Sequence, residues 1–533
     1  LTHLFTAAEI AAITGGQVMA GDPEARVTGL AWDSRQVSPG DCFVALIGER
    51  ADGHDYAGQA AAAGASCILA ARRVDAPGAA VVVCRDPLLG LGQLGRVLRD
   101  RYPHLVVVGV TGSVGKTTTK EMVAAVLAER VRVFRTRGNL NSQVGLPASL
   151  AGLTAADDVA VLEMGMRALG EIAYLASIAR PQVGVVTNVG ITHLELLGTQ
   201  ENIALAKSEL VRALPADGDA ILNADDPRVR AMAAVTPARV WFYGLTAPAA
   251  AAEWAARESA RTGNGHGVER WVTAADARPA GDMGQRFRLV SSLGEVEVDL
   301  PAPGQHNLLN ALAAAAVGLS QGLTLGEIAR GLGRFQNTGS RMRRLTAGGV
   351  RILDDTYNAA PASVIAALEV MRGIAGPAGR CIAVLGEMYE LGAMEEEGHR
   401  QVGAAAARLA DELVAVGRLG RHIAAGARDA LAAAGERAQR AQGGTADGAQ
   451  QALAASSADG PPEAPGVSEG GHSGAAAGVR VAAIHEVPTN ADAIACLKSR
   501  LRPGDTVLVK GSRGMAMEEI VHALAEYLEQ TQP

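Results

Sequence analysis

At 533 residues the chain exceeds what one hydrophobic core can hold, so about three domains are expected. Its 48% apolar and 20% charged residues are the composition of an ordinary globular protein. The net charge of −7, from 49 basic and 56 acidic residues, argues against a nucleic-acid binder held by bulk electrostatics. It leaves phosphate-bearing substrates open, because those need only local donors. The segment Leu1–Gly16 lacks the basic start and apolar core of a signal peptide, and no apolar run is long enough to cross a bilayer. Five cysteines (Cys42, Cys67, Cys84, Cys381 and Cys496) are scattered without a close pair that suggests zinc or a redox motif. A cytoplasmic enzyme without membrane insertion is expected.

In chain order, Pro39-Gly40 leads into a strand at Cys42–Ile47, a helix is expected at Ala60–Ala65, and a strand at Cys67–Ala70. From Leu105 the pattern becomes alternating strands and helices. Leu105–Val110, Val159–Leu162 and Val183–Thr187 are short β-branched runs, each followed by a turn residue and a helical stretch, as in a parallel sheet covered by helices. Thr199–Leu214 reads as a helix with Thr199 as its N-cap. Phe287/Leu289 and Val296/Val298/Leu300 alternate around Ser291–Gly294, the pattern of a hairpin. A second strand–helix series contains strands at Val350–Leu353, Cys381–Leu385, Glu412–Val416 and Thr506–Lys510. A domain boundary is placed near Arg341. Residues 437–478, in which Leu453 and Val467 are the only large aliphatics, are expected to be a disordered insert. Residues 247–268 are a milder case of the same kind.

The strongest chemical signal lies between Val106 and Thr119. A strand runs into Gly112-Ser-Val-Gly115, and Lys116-Thr-Thr118 opens a helix. Backbone N–H groups of such a loop cradle phosphate oxygens, Lys116 reaches the β/γ-phosphates, and the Thr117 hydroxyl ligates magnesium. The general motif has glycine where this chain has Val110. Glu163 stands at the end of its strand, beside the loop, where a carboxylate can hold magnesium. His193 follows another strand end, although a lone histidine is more often structural. Lys207 shares the apolar helix face of Ile203, Leu210, Val211 and Leu214. The alternative for it is a stem laid along that face with the amine in water. Further on, Asp354-Asp-Thr-Tyr-Asn358, Gly386-Glu-Met-Tyr-Glu390 and Lys510-Gly-Ser-Arg-Gly514 each follow a strand. Such polar clusters at several strand ends mark the ligand edge of a doubly wound domain.

These pieces, in this order, resemble the Mur ligases of peptidoglycan synthesis. The resemblance runs through Asp33-Ser-Arg35, Pro39-Gly-Asp41, Asp52-Gly-His-Asp55, Thr111–Met122, Asn139-Leu-Asn141 and Glu163-Met-Gly165. It continues through Asn188–Leu210, Gly304-Gln-His-Asn307, Ser340-Arg-Met342, Asp354–Pro361 and Lys510-Gly-Ser-Arg513. It implies an α/β fold of three domains. A small mixed N-terminal domain at 1–98 binds a UDP-sugar, a P-loop parallel-sheet ATPase domain spans 99–335, and a Rossmann-like domain spans 336–533. It also implies ATP and magnesium as cofactors and an acyl-phosphate mechanism. Within the family, the expected reaction joins D-alanyl-D-alanine to a UDP-N-acetylmuramoyl tripeptide, carried out by a monomer.

By resemblance, the loop Gly112–Thr118 binds the triphosphate and Asn307, Arg341 and Asp355 complete the nucleotide site. Thr117, Glu163 and His193 hold magnesium, joined by Lys207 as a carbamate, and Lys116, Lys207 and His193 are the catalytic set. Asp33, Ser34 and Arg35 belong to the UDP-sugar site, and Asn358, Lys510 and Arg513 to the dipeptide region. The family usually reads Tyr-Asn-Ala-Asn-Pro where this chain has Tyr357-Asn-Ala-Ala-Pro361. The Asp-Asn-Pro-Arg run of relatives that add a single diamino acid is absent from the C-terminal domain, the similar Asp225-Asp-Pro-Arg228 lying in the ATP domain. A related ligase adding one amino acid, and a non-catalytic ATP-binding regulator of the same fold, are the competing readings.

Overall fold

The computed structural model describes residues 3–48, 51–191, 194–262, 269–281, 283–337, 339–452 and 479–531. They divide into two compact units, Leu1–Gln336 and Asn337–Pro533.

The first unit contains two large sheets. Gln17–Ala20, Ala80–Val83, Cys67–Ala70, Asp41–Val44 and Gly29–Ala31 lie side by side in that order, all pairs parallel except the first. The second sheet has nine strands, of which Val133–Arg135, Val159–Glu163, Val106–Thr111, Val183–Val186, Asp219–Asn223, Arg239–Tyr243 and Trp271–Pro279 run parallel. The expected hairpin, Gln285–Ser291 and Gly294–Leu300, adds its two antiparallel strands to the far edge. The parallel strands are continuous apolar runs because helices cover both faces. On one face lie Lys116–Leu127 and the alanine-rich Gln305–Ser320, whose Ala311–Val317 stretch is fully buried. The other face shares its core with the five-stranded sheet through helix Pro87–Asp100, whose Leu91, Leu94 and Leu98 pack in one cluster with Val44, Leu146, Leu162 and Ile178. The boundary expected between residues 98 and 99 therefore runs through the last turn of that helix.

Cys42 and Cys67, distant in sequence, are partners across adjacent parallel strands and wholly buried. The hydrogen bond to Cys67, together with burial, holds the Cys42 thiol protonated, with its pKa well above the usual value.

The second unit is a six-stranded sheet, ordered Arg343–Ala347, Val350–Asp354, Thr506–Lys510, Cys381–Leu385, Glu412–Val416 and Ala483–Val487, parallel apart from its first strand. Two expectations of disorder need correction. Helix Ala247–Thr262 packs Ala247, Ala250, Ala251 and Ala255 inward, and helix Gly420–Ala452 carries regular structure through the first part of 437–478. Both segments are poor in large aliphatics, but alanine is the strongest helix former, and Ala247, Ala250, Ala251 and Ala255 also bury well. Residues 263–268 and 453–478 lie outside the described residues.

Two helical glycines give opposite expectations. A Cβ at Gly95 would sit 2.8 Å from Pro147 Cα, whereas one at Gly373 meets nothing within 4 Å. Gly373→Ala is expected to stabilise by up to about 1 kcal/mol through helix propensity. Gly95→Ala is expected to destabilise by roughly 1–2 kcal/mol, because overpacking against backbone outweighs the same gain. Urea titrations that move both midpoints in one direction would contradict this packing.

Candidate functional site

The register of the parallel strands assembles the first cluster. Glu163 pairs with Val110, and Val186 with Thr111, so three strand ends meet at one edge of the sheet. Between Thr111 and the helix at Lys116, Gly112 (φ +147°) and Gly115 (φ +89°) adopt backbone conformations that side chains disfavour. A Cβ at Gly115 would lie 2.7 Å from Asn310 Oδ1, and one at Gly112 would strike Thr187 Oγ1. Val110, where the general motif has glycine, lies within the strand and is fully buried; the turn begins only at Gly112.

Strand-end asparagines shape the loop. Val114 N–H donates to Asn188 Oδ1 (2.9 Å), while Val114 O accepts from Asn188 Nδ2 (2.9 Å) and Thr187 Oγ1 (2.6 Å). Ser113 N–H donates to Asn188 O, and the Ser113 hydroxyl exchanges hydrogen bonds with Gly190. The helix then opens with the orphan N–H groups of its first turn, Lys116–Thr118, facing the loop. Lys116 Nζ donates to Gly112 O (2.7 Å) and Ser113 O (3.1 Å).

Glu163 is 2% exposed, and both carboxylate oxygens are held. Oε2 accepts from Thr117 Oγ1 (2.7 Å) and Oε1 from Asn141 Nδ2 (2.7 Å). A hydroxyl and a carboxylate beside a phosphate loop are hard oxygen donors of the kind magnesium takes, and magnesium needs few protein ligands when phosphates and water complete its shell. No group of three or more His, Cys, Asp or Glu placed to hold a metal ion together is found among the described residues. His193 lies outside them.

Lys207 sits on helix Gln200–Arg212, whose N-cap Thr199 accepts the Asn202 N–H, as expected. It is 2% exposed with no hydrogen-bond or ion-pair partner among the described residues, so its amine does not run out to water. Burial, reinforced by the nearby Lys116 ammonium, pulls its pKa well below the usual lysine value. Asn307 and Asn310, on Gln305–Ser320, form a buried relay. Asn307 Nδ2 donates to Pro303 O, Asn310 Nδ2 to Asn307 Oδ1, and Thr119 Oγ1 to Asn310 Oδ1. Periodicity did not single out Asn188 or Asn310; their adjacency to strand ends and to the loop is tertiary.

In the N-terminal part, Arg35 forks onto Asp33 (2.7 and 2.9 Å), and these bonds lower the Asp33 pKa to about 2. Ser34 Oγ lies 3.3 Å from Gln59 Oε1.

The second unit gathers its own cluster at its strand ends. Lys510 Nζ lies 2.6 Å from Asp355 Oδ2 and donates to Asn358 O (2.8 Å). Asp355 Oδ1 accepts the Met342 N–H, at a residue with φ +53°. Burial raises the Asp355 pKa while Lys510 opposes that shift. The Tyr357 ring is approached by two guanidinium groups, Arg341 at 3.8 Å and Arg513 at 5.2 Å from its centroid. Asp354 is structural, tied to Arg343 and to the Thr356 hydroxyl and N–H. Glu387, from the third polar cluster, accepts the Leu419 N–H.

A cavity of about 850 Å³ lined by Arg96, Arg99 and Arg180 lies elsewhere, by residues that precede the strands at Val106 and Val183. Its arginines are engaged, Arg180 and Arg96 with the Asp100 carboxylate and Arg96 and Arg99 with helix-end and turn carbonyls. Arg99 donates to Ala179, Tyr102 and Leu105 O, and Arg96 to Ser177 O.

Family models agree with this layout: "Mur ligase family, catalytic domain" matches residues 26–141, "Mur ligase middle domain" 110–318, and "Mur ligase, glutamate ligase domain" 340–513. The chain is 36% identical to the UDP-N-acetylmuramoyl-tripeptide–D-alanyl-D-alanine ligase of Mycobacterium tuberculosis, over 97% of each chain. The chain belongs to the Mur ligase family. The Escherichia coli ligase of the same name is 37% identical over 78% of this chain and 86% of its own. Among solved structures, MurF from Acinetobacter baumannii superposes with a TM-score of 0.77 at 28% identity, covering 98% and 99% of the two chains. MurF ligase from Thermotoga maritima, in complex with ADP, gives 0.71 at 25% identity over 94% and 98%. As a Mur ligase the chain is an ATP-dependent, ADP-forming enzyme of mixed α/β fold with three Mur ligase domains. No helix among the described residues is long and apolar enough to cross a membrane.

In this Mur ligase, Gly115→Ala is expected to lower ADP affinity at least ten-fold, since the new methyl must displace Asn310 and re-aim the first helical N–H groups. Calorimetric titration with ADP checks this; unchanged affinity would mean that the loop does not carry the phosphates.

Proposed function

We propose that the chain joins D-alanyl-D-alanine to a UDP-N-acetylmuramoyl tripeptide, converting ATP to ADP and phosphate, as a cytoplasmic monomer. The observation that carries this reading is the near full-length similarity to the mycobacterial ligase of that name. The site supplies the physical means. The terminal carboxylate of the tripeptide attacks the γ-phosphorus of ATP and ADP departs. The dipeptide amine then attacks the acyl carbon, and phosphate leaves as the amide forms.

In this reading the amides of Gly112–Thr118 and the Lys116 ammonium hold the phosphates and neutralise charge as the phosphoryl group moves. Asn307 in the first unit and, separately, Arg341 and Asp355 in the second are read as nucleotide-binding residues. Thr117, Glu163 and His193 would hold magnesium, which supplies Lewis-acid stabilisation of phosphoryl oxygens when bound. Asp33, Ser34 and Arg35, in a domain at 1–98, serve the UDP-sugar. Asn358, Lys510 and Arg513, in a domain at 336–533, offer a backbone turn and two cations that suit a dipeptide carboxylate.

Lys207 serves as a carbamate. Its burial lowers its pKa and favours the neutral amine, which is the form that adds to carbon dioxide with release of a proton. The product is a carboxylate beside Lys116, which turns the repulsion between two amines into attraction. Lys207→Ala is expected to lose activity by orders of magnitude and to recover part of it with small carboxylic acids, which refill the missing carboxylate. A folded, inactive variant without rescue, joined with an unmodified amine in a high-resolution map of the ATP–magnesium complex, would overturn this role.

The decisive test for the overall function is product formation with a panel of UDP-muramoyl peptides and amines, with Lys116→Ala as the blank. D-alanyl-D-alanine added to a UDP-muramoyl tripeptide is expected to be turned over, with little reaction from free lysine or meso-diaminopimelate. Preference for either free amino acid would place the chain in another branch of the family. Phosphate release without any ligated product would favour the regulator reading.

A further inference from the structure

We propose that Lys120 is a positioning residue that acts on the magnesium site through the segment Thr136–Asn141. This rests on the reading of Glu163 as a metal ligand and names a residue through which the fold aims that carboxylate.

Lys120 stands one helical turn beyond Lys116, but its amine meets other partners. It is fully buried, and its ammonium meets three oxygens: Thr136 O at 2.6 Å, Gly138 O at 3.3 Å and Glu121 Oε1 at 3.1 Å. An ammonium has three donors, so its capacity is used. Glu121 in turn takes Arg135 Nε at 2.8 Å, just before the segment. A buried charge is costly unless its partners are fixed, and here the partners are backbone carbonyls of an irregular stretch.

That stretch touches Glu163 twice. The Thr136 hydroxyl accepts the Glu163 N–H (3.2 Å), and Asn141 Nδ2 donates to the carboxylate (2.7 Å). Its path is confined at the far end as well. Gly165 N–H donates to Asn141 O, and a Cβ on Gly165 would lie 3.0 Å from the Asn141 side chain. Thr117, on the same helix as Lys120, grips the other carboxylate oxygen. One helix therefore orients Glu163 from both sides, directly through Thr117 and indirectly through Lys120, the Thr136–Gly138 carbonyls and Asn141. Removing the ammonium frees two carbonyls and loosens the Asn141 side of that grip. Outer-shell partners of this kind set ligand orientation, and losing one typically costs about ten-fold or more in metal affinity.

The test is calorimetric binding of a non-hydrolysable ATP analogue to the full chain, titrated with magnesium and repeated in EDTA. Lys120→Met is expected to raise the magnesium concentration for half-maximal effect about ten-fold, with affinity in EDTA unchanged. Asn141→Ala is expected to give a similar shift, and the double variant no more than the larger single one. A purely stabilising lysine would lower the melting temperature and leave the magnesium midpoint where it was. That result, or shifts that multiply in the double variant, overturns the proposal. Should Lys120→Met fail to fold, Lys120→Gln is read against the same two outcomes. Glu163→Gln separates the two readings. If it leaves the magnesium dependence intact, the metal assignment itself falls; if it abolishes that dependence while Lys120 variants match wild type, only the present inference fails.

Discussion

Everything at the phosphate end depends on the register of three parallel strands. Parallel pairing places the carboxyl ends of Val106–Thr111, Val159–Glu163 and Val183–Val186 along one edge, so residues 50 to 80 positions apart in sequence meet without a long loop. A shift of one residue in either ladder would turn side chains to the opposite face and carry Glu163 away from Thr117. The continuous burial of these strands specifies that register, because each inward side chain has a helix to pack against. The chemistry is thus anchored in the core rather than in the loops that display it.

Two buried lysines on this framework show how burial separates structure from reactivity. Lys120 and Lys207 are similarly enclosed, but Lys120 meets three oxygens whereas Lys207 has no partner among the described residues. The first is a satisfied charge whose removal would free backbone carbonyls. The second is an amine driven towards its neutral, nucleophilic form by desolvation and by Lys116. The same residue type, at equal depth, therefore calls for different roles, and only the partner list tells them apart.

Much of this was legible in the sequence. Cys67–Ala70, Cys381–Leu385, Glu412–Val416 and Thr506–Lys510 occur as strands with the bounds expected from the sequence, and the Thr199 cap and the apolar face holding Lys207 are as periodicity indicates. The Gly112–Thr118 turn was legible because its geometry is local. What escaped is tertiary or compositional. The bonds of Asn188 to Val114, of Asn141 to Glu163 and of Asn310 to Thr119 join residues 22 to 191 positions apart, and no window of sequence contains them. In the alanine-rich stretches a scarcity of large aliphatics is no measure of the ability to form a helix. Helix propensity and close packing of small side chains decide the outcome at 247–262. His193 was read from its strand-end position and the family pattern, and lies outside the described residues.

The departure at Ala360 has a physical explanation in the second unit. Residue 360 is the N-cap of helix Pro361–Ala375, in extended conformation, and is 8% exposed. Asparagine is among the preferred residues at such a position because its side chain accepts an orphan N–H of the first turn. Alanine cannot, and Ser363 makes a different bond, its hydroxyl accepting the N–H of Ala360 itself at 3.0 Å and donating to Ala360 O at 2.8 Å. A buried cap is poorly placed to reach a substrate, so the asparagine usual in the family fits a helix-capping role at this position. The loss at this position is then one of roughly 1 kcal/mol in helix stability. The dipeptide region proposed above, the Asn358 turn with Lys510 and Arg513, sits at strand ends, where Lys510 is held by Asp355 and Asn358 O rather than by the side chain at residue 360.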